Sequence, residues 1–309
     1  MKRALVTGAT GCIGQATVRA LLAAGWSVRG LARSDADWPE GAERVRASVE
    51  DAVAVREAAA GCDAVIHLAG WVHRVPKTAA DHDELRRSIV EGTRHVVEAA
   101  GRARFVFAST VAVYGSFPER PTDEGTPPAP DSAYGEAKLS AELVVRDRLP
   151  QATILRIAVV YGPRDRGNVL ALMRAVDRGQ ARVVGPGDNR KSVLYADNLA
   201  DRIVRLVEQE LPGTFNAADD PAPTQRQLVD ELARALGKRS PRGIPRALVM
   251  GAARLVDVVT SGNWADRVRK LAAPTEHRGA ALDARLGYAP RVSFAEGIRR
   301  AVAWYRQGS

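Results

Sequence analysis

A glycine-spaced turn near the start of the chain constrains it more than any other feature. Thr7-Gly8-Ala9-Thr10-Gly11-Cys12-Ile13-Gly14 follows the apolar run Arg3–Thr7 (RALVT) and leads into an Ala/Leu-rich helical pattern. Glycines at 8, 11 and 14 permit a tight turn, a close backbone approach to a diphosphate and close packing of helix on strand. The helix start then offers unpaired N–H groups and the positive end of its dipole to phosphates. Three glycines alone are a weak signal, and without a ligand they make only a tight strand-to-helix turn. Between a first strand and a helix they predict a dinucleotide site.

The rest of the first half repeats that rhythm. Short runs rich in apolar or β-branched residues occur at Ser27–Leu31, Ala64–Ala69, Arg104–Ala108 and Thr153–Ala158. Helical patterns lie between them, such as Gly14–Ala24 closed by Gly25 and Leu85–Ala100 closed by Gly101. Strands alternating with helices predict crossover units and a doubly wound parallel α/β sheet with both faces covered. After Gly162-Pro163 helical stretches dominate. Capping boxes are expected at Thr224/Gln227 and Ser293/Glu296. The predicted organisation is a sheet domain over 1–163, with a return segment at 190–216, and a smaller, mostly helical lobe over 164–309. The Pro-rich stretch Pro118–Pro130 reads as a long loop near the site.

Composition enters as a set of exclusions. The net charge of +9 invites a nucleic-acid reading, but the arginines read as scattered, and 5 % aromatics leaves little for base stacking. An anionic small molecule is the better partner for such a charge. No apolar run approaches the ~20 residues of a membrane span, and the N-terminus shows no cleavable signal pattern. Cys12 and Cys62 are too few for a disulfide framework or a zinc site. A cytoplasmic protein with no nucleic-acid, membrane or metal partner is expected.

The tip of the second strand, Leu31-Ala32-Arg33-Ser34, lacks the carboxylate that holds an adenosine ribose in many NAD sites. A guanidinium suits a 2′-phosphate, and Ser34 adds a donor, which favours NADP(H). Asp35 and Asp37 keep NAD(H) open, and Arg33 also reads as a solvated loop arginine. Chemistry is signalled further on. Tyr134 and Lys138 have the spacing that puts both side chains on one helix face, one turn apart. The ammonium is expected to lower the phenol pKa, making Tyr134 an acid/base group at neutral pH. Thr110, at a strand end in Ala108-Ser109-Thr110-Val111-Ala112-Val113-Tyr114-Gly115, is expected to hydrogen-bond the same substrate oxygen. Tyr114 reads as a packing residue.

With these segments in place the chain resembles the extended short-chain dehydrogenases/reductases, in the nucleotide-sugar epimerase/dehydratase/reductase group. The resemblance runs through TGATGCIG, HLAG (His67–Gly70), ASTVAVYG, YGEAK, LRIAVVYGP (Leu155–Pro163) and LGYAPRVSFAEGIRRAVAWY (Leu286–Tyr305). It implies a Rossmann sheet with Thr110, Tyr134 and Lys138 as catalytic triad. It implies Gly8, Gly11, Cys12, Ile13 and Gly14 along the diphosphate, and Leu68 and Ala69 beside the cofactor. Lys138 would hold the nicotinamide ribose, and Val160 would border the nicotinamide. Arg190 and Asn168 match positions that contact the substrate diphosphate of a UDP- or dTDP-sugar. A homodimer is common in the group. Three positions depart from its pattern. Ile89 stands where an Asn relay is usual, and Ser48 replaces an adenine-side Asp, leaving Val49 or backbone to serve. Cys12 replaces a bulky residue and reads as a structural thiol.

The implied activity is hydride transfer at a sugar carbon, at C4, with a 4-ketoreductase favoured over a 4-epimerase. A reductase of a lipophilic ketone and a non-catalytic cofactor-sensing regulator are the alternatives. His73 is a candidate facing the substrate, and Asp197 reads as fixing a helix turn.

Overall fold

The computed structural model describes residues 1–34, 38–71, 76–117, 121–260 and 264–308. Its centre is a seven-stranded, all-parallel sheet built from β1 (Arg3–Thr7), β2 (Ser27–Ala32), β3 (Glu43–Arg46), β4 (Ala64–His67), β5 (Arg104–Thr110), β6 (Thr153–Ile157) and, after the short β7 (Val159–Tyr161), β8 (Val183–Val184) and β9 (Val193–Tyr195), β10 (Gly213–Ala217). The strand order is β10-β6-β5-β4-β1-β2-β3. The direction of winding reverses between β1 and β4, and the carboxyl ends of those two strands carry the glycine turn and the HLAG segment. A crevice at such a reversal is where open α/β sheets bind ligands.

Period-two alternation puts each strand's side chains into two cores. On one face Ala4, Val6, Ile66, Val106, Leu155 and Ile157 pack against α1 (Cys12–Ala23) and, after α2 (Ala52–Ala59), α3 (Ala79–Arg86), α4 (Gly92–Ala100), α5 (Ala133–Arg148) and α6 (Asn168–Asp177), against α7 (Ala196–Gln209). On the other face Leu5, Val65, Phe105, Phe107 and Ile154 meet α2, α4 and α5. The third core joins α6, α8 (Gln225–Leu236) and α12 (Phe294–Gln307) around Met173, Leu232 and Ile298.

β11 (Gly243–Ile244) pairs with β8 ahead of two further helices, α9 (Arg246–Thr260) and α10 (Trp264–Ala272). The C-terminal part is interleaved with the sheet domain. Leu282 and Leu286 of α11 (Ala280–Leu286) and Tyr288 belong to the first sheet core.

Several local expectations differ in detail. The run expected as a strand to Ala69 leaves the ladder at His67, because the Leu68 and Ala69 amides turn to the Thr7 hydroxyl at 3.1 Å each. The helix expected from Leu85 starts at Ala79 on a Thr78 capping box and passes through a wide turn at Arg87–Glu91 before α4. The Thr224/Gln227 box is complete. At Ser293 only half forms, because the Glu296 carboxylate binds Arg299 and Arg300 instead of the Ser293 amide. From the Pro118–Pro130 stretch, Pro118 to Arg120 lie outside the described residues. The remainder is stapled by Thr122, whose amide donates to Glu276 O and whose carbonyl accepts from Arg278 N.

Candidate active site

A cleft of about 690 Å³ opens over the ends of β1, β4 and β5. Gly8 there has φ +70°, a left-handed conformation that disfavours a side chain. A Cβ on Gly14 would lie 2.2 Å from Gly8 O, so the helix can sit this close to the turn only with glycine at 14. Gly11 caps α1 with no side-chain hydrogen bond, and the first turn holds no acid. The amides at this helix start are therefore open to an anion, and the cradle fits the diphosphate of a dinucleotide. Cys12, Ile13, Arg33, Ser34, Val49, Leu68, Ala69 and Val160 line the same cleft. Asp35, Asp37 and His73 lie outside the described residues.

The floor rests on a buried hydroxyl–imidazole chain that the sequence reading did not single out. Thr7 Oγ1 accepts from the Leu68 and Ala69 amides, so its own proton goes to His67 Nδ1, at 2.7 Å. His67 Nε2 then donates to Thr93 Oγ1 at 3.0 Å, and Thr93 donates to Ile89 O at 2.5 Å. Burial, with Lys138 nearby, pushes the His67 pKa down to about 3 and keeps the ring neutral. The signal was present, since a polar residue ended each of two otherwise apolar strands.

Thr110 ends β5, and Tyr134 and Lys138 lie one turn apart on α5, whose start is capped by Ser132 Oγ accepting from Gly135 N. All three line the cleft. Tyr134 is hydrogen-bonded to Thr110, but burial outweighs that bond and pushes the phenol up to about 12. The expected lowering by Lys138 is not what this geometry produces. Lys138 Nζ donates to Ala108 O at 2.7 Å and lies over the Phe107 ring, 4.9 Å from its centroid. Its own pKa is pulled down to about 8 by burial, against the opposing pull of Glu142.

Behind this trio Glu142 accepts from Ser109 Oγ at 2.6 Å and from Arg156 Nε and Nη2 at 3.0 and 2.8 Å. Arg156 also donates to the Tyr114 hydroxyl at 3.1 Å, and the Tyr114 ring stacks on His277. Tyr114 therefore packs and is held. The clue to this cluster was an arginine inside the apolar strand TILRI and a glutamate one turn beyond Lys138.

At the far end Asn168 lines the cleft at the start of α6, together with Arg164 and Arg166, which were not singled out from sequence. Asp165 fixes this corner by accepting from Gly167 N at 2.6 Å and Leu170 N at 3.0 Å. Arg190 is not brought to the cleft. It is exposed, and its guanidinium donates to Ala222 O at 2.6 Å on the strand-like pairing of residue 190 with Thr224. Asp197 lies in the first turn of α7 and pairs with Arg19 at 3.2 Å. The Cys12 thiol is pushed up to about 12, first by burial and then by Asp165 and Asp197, which disfavours its thiolate. Among the described residues no group of three His, Cys, Asp or Glu side chains could hold a metal ion, and no helix is long and apolar enough to cross a membrane.

Comparison with known proteins gives the family. Residues 4–218 match the family model for the NAD dependent epimerase/dehydratase family. The chain is 30 % identical over 320 residues to the N-acetyl-alpha-D-glucosaminyl-diphospho-ditrans,octacis-undecaprenol 4-epimerase of Escherichia coli O157:H7, covering 97 % of this chain and 94 % of that one. It is also 30 % identical over 334 residues to the 2-alkyl-3-oxoalkanoate reductase of Stenotrophomonas maltophilia (strain K279a), covering 96 % and 97 %. Among solved structures, the Thermus thermophilus UDP-glucose 4-epimerase complex with NAD superposes with a TM-score of 0.76 at 25 % identity, covering 99 % and 100 %. The Bordetella bronchiseptica enzyme WbmH in complex with NAD+ shares the fold at a TM-score of 0.82 and 21 % identity, over 100 % of both chains. The chain belongs to the NAD-dependent epimerase/dehydratase family, enzymes of the extended short-chain dehydrogenase/reductase type.

Proposed function

We propose that this enzyme transfers hydride at a sugar carbon, C4, of a diphosphate-linked sugar, working in the reductive direction as a 4-ketoreductase. The observation that carries this reading is the convergence of Thr110, Tyr134 and Lys138 with the glycine cradle in one cleft. A nicotinamide dinucleotide, when bound, supplies the hydride. Tyr134 gives its phenolic proton to the oxygen of the carbonyl being reduced, and Thr110 hydrogen-bonds that oxygen. The Lys138 ammonium stabilises the phenolate left behind. A phenol pushed up by burial to about 12 is protonated at neutral pH, as a proton donor must be.

Arg33 at the adenosine end supports a 2′-phosphate, hence NADP(H), whereas the solved relatives named above carry NAD. Arg164, Arg166 and Asn168 offer donors to a diphosphate. Sources for it include a UDP- or dTDP-sugar and a polyprenyl-diphosphate sugar of the kind named for the Escherichia coli relative. The displacement of Arg190 from the cleft favours a second reading, reduction of a lipophilic ketone, in line with the Stenotrophomonas relative.

Thermal-shift titration with NAD, NADP, UDP and dTDP, followed by turnover of a 4-keto nucleotide sugar, tests the proposal. Stabilisation by a nucleotide diphosphate and reduction of the 4-keto sugar are expected. The Tyr134→Phe variant should lose turnover by on the order of a hundredfold or more while keeping its cofactor shift. Stabilisation by cofactor alone, with turnover only of apolar ketones, would replace the sugar reading by the second one.

A further inference from the structure

The positive charge is less evenly spread than the scatter of arginines first suggests. Residues 234–272 carry nine Lys and Arg against only Asp257 and Asp266, a net +7 in a chain whose total is +9. This stretch holds the end of α8, β11, α9 and α10. Arg239, Arg242, Arg246 and Arg254 are exposed, and no ion pair among the described residues engages them. The same stretch exposes apolar surface. On α9, Ala247, Leu248, Gly251 and Ala252 face solvent, and Leu248 is 66 % exposed. Trp264 is 46 % exposed at the start of α10, where the Asp257 carboxylate accepts its amide at 2.6 Å.

The outer face of α12, by contrast, carries Arg299, Arg300 and Arg306 around an ion pair with Glu296. An uncharged outer face bracketed by arginines, with an exposed tryptophan opening the next helix, is the pattern of helices lying in a membrane interface. The patch also adjoins the loop that leaves Thr110, since the Arg269 guanidinium lies over the Phe117 ring, 5.5 Å from its centroid, and Phe117 is 41 % exposed.

We infer that α9 and α10 form a docking surface for an anionic lipid bilayer, with the arginines on headgroups and the Leu248 and Trp264 side chains in the acyl boundary. A nucleic acid would use the same charge but has no use for the apolar face. The docking does not depend on which ketone the enzyme reduces.

Co-sedimentation of the full chain with phosphatidylcholine vesicles, and with phosphatidylcholine–phosphatidylglycerol vesicles, tests this. Binding to the anionic vesicles alone is expected, weakening as salt is raised. Leu248→Glu, and separately Arg242→Glu combined with Arg246→Glu, should each lower partitioning on the order of tenfold. Arg102→Glu, an exposed arginine outside the patch, should leave it unchanged. Unaltered thermal midpoints and cofactor shifts confirm that the variants are folded. Equal sedimentation with neutral vesicles, or none with either, overturns the proposal. So does binding that ignores Leu248→Glu and is displaced by duplex DNA, which would mark a general polyanion surface.

Discussion

At the scale of single residues, two buried histidines make an acid sensitivity that the sequence does not announce. His67 is held near pKa 3 and His277 near 4, both because burial disfavours the imidazolium. The unfolded chain takes up these protons near 6.5, so below that pH it binds more protons than the folded state and stability falls with pH. Each histidine contributes a slope of at most about 1.4 kcal/mol per pH unit. Urea denaturation between pH 6.5 and about 5, above the carboxylate range, should show this fall, and His277→Gln should reduce the slope to roughly half. An unchanged slope would mean that other groups dominate. Arg33 gives a second residue-scale expectation. Replacing it with alanine should shrink the thermal shift with NADP far more than that with NAD, whereas equal losses would remove the argument for a 2′-phosphate.

At the scale of elements, α1 depends on glycine at a point that no cap or hydrophobic pattern would reveal. Gly14→Ala places a Cβ against Gly8 O and the Ala9 backbone, atoms that cannot step aside. It should cost on the order of 1–3 kcal/mol in stability and abolish the cofactor-induced shift, read by calorimetry with and without dinucleotide. Helix α5 shows how much of a site one period can encode. Tyr134, Lys138 and Glu142 recur every four residues, so their common face was legible from spacing. The direction of the Lys138 ammonium was not. It donates to a carbonyl of β5, a strand distant in sequence, and that contact fixes where the ammonium points, while burial pulls its pKa down. Likewise Ser293 reads as a full capping box, yet Arg299 and Arg300 compete for Glu296 and win it.

At the scale of the whole molecule, the sheet domain and the C-terminal part are locked by a buried charge. Arg202 on α7 is fully buried, donates to both Asp283 oxygens at 2.7 and 2.8 Å and to Asp219 at 3.0 Å, and lies over the Tyr288 ring. Arg202→Leu leaves two largely buried carboxylates uncompensated and should lower stability by about 3–5 kcal/mol, seen as a depressed thermal midpoint. The parallel sheet, the glycine cradle and the Thr110, Tyr134 and Lys138 positions were legible because each rests on a local period or a turn chemistry confined to a few consecutive residues. The structure lines the cleft with Arg164 and Arg166 and turns the Arg190 guanidinium to Ala222 O, because a polar motif says nothing about which way its backbone faces after a tertiary fold. By itself the sequence determined the strand-and-helix rhythm and the residue types at the ends of the strands. Only the tertiary structure decided which distant groups share one low-dielectric cleft, and hence which protons they hold, because burial and long-range contacts, not neighbours in sequence, set those energies.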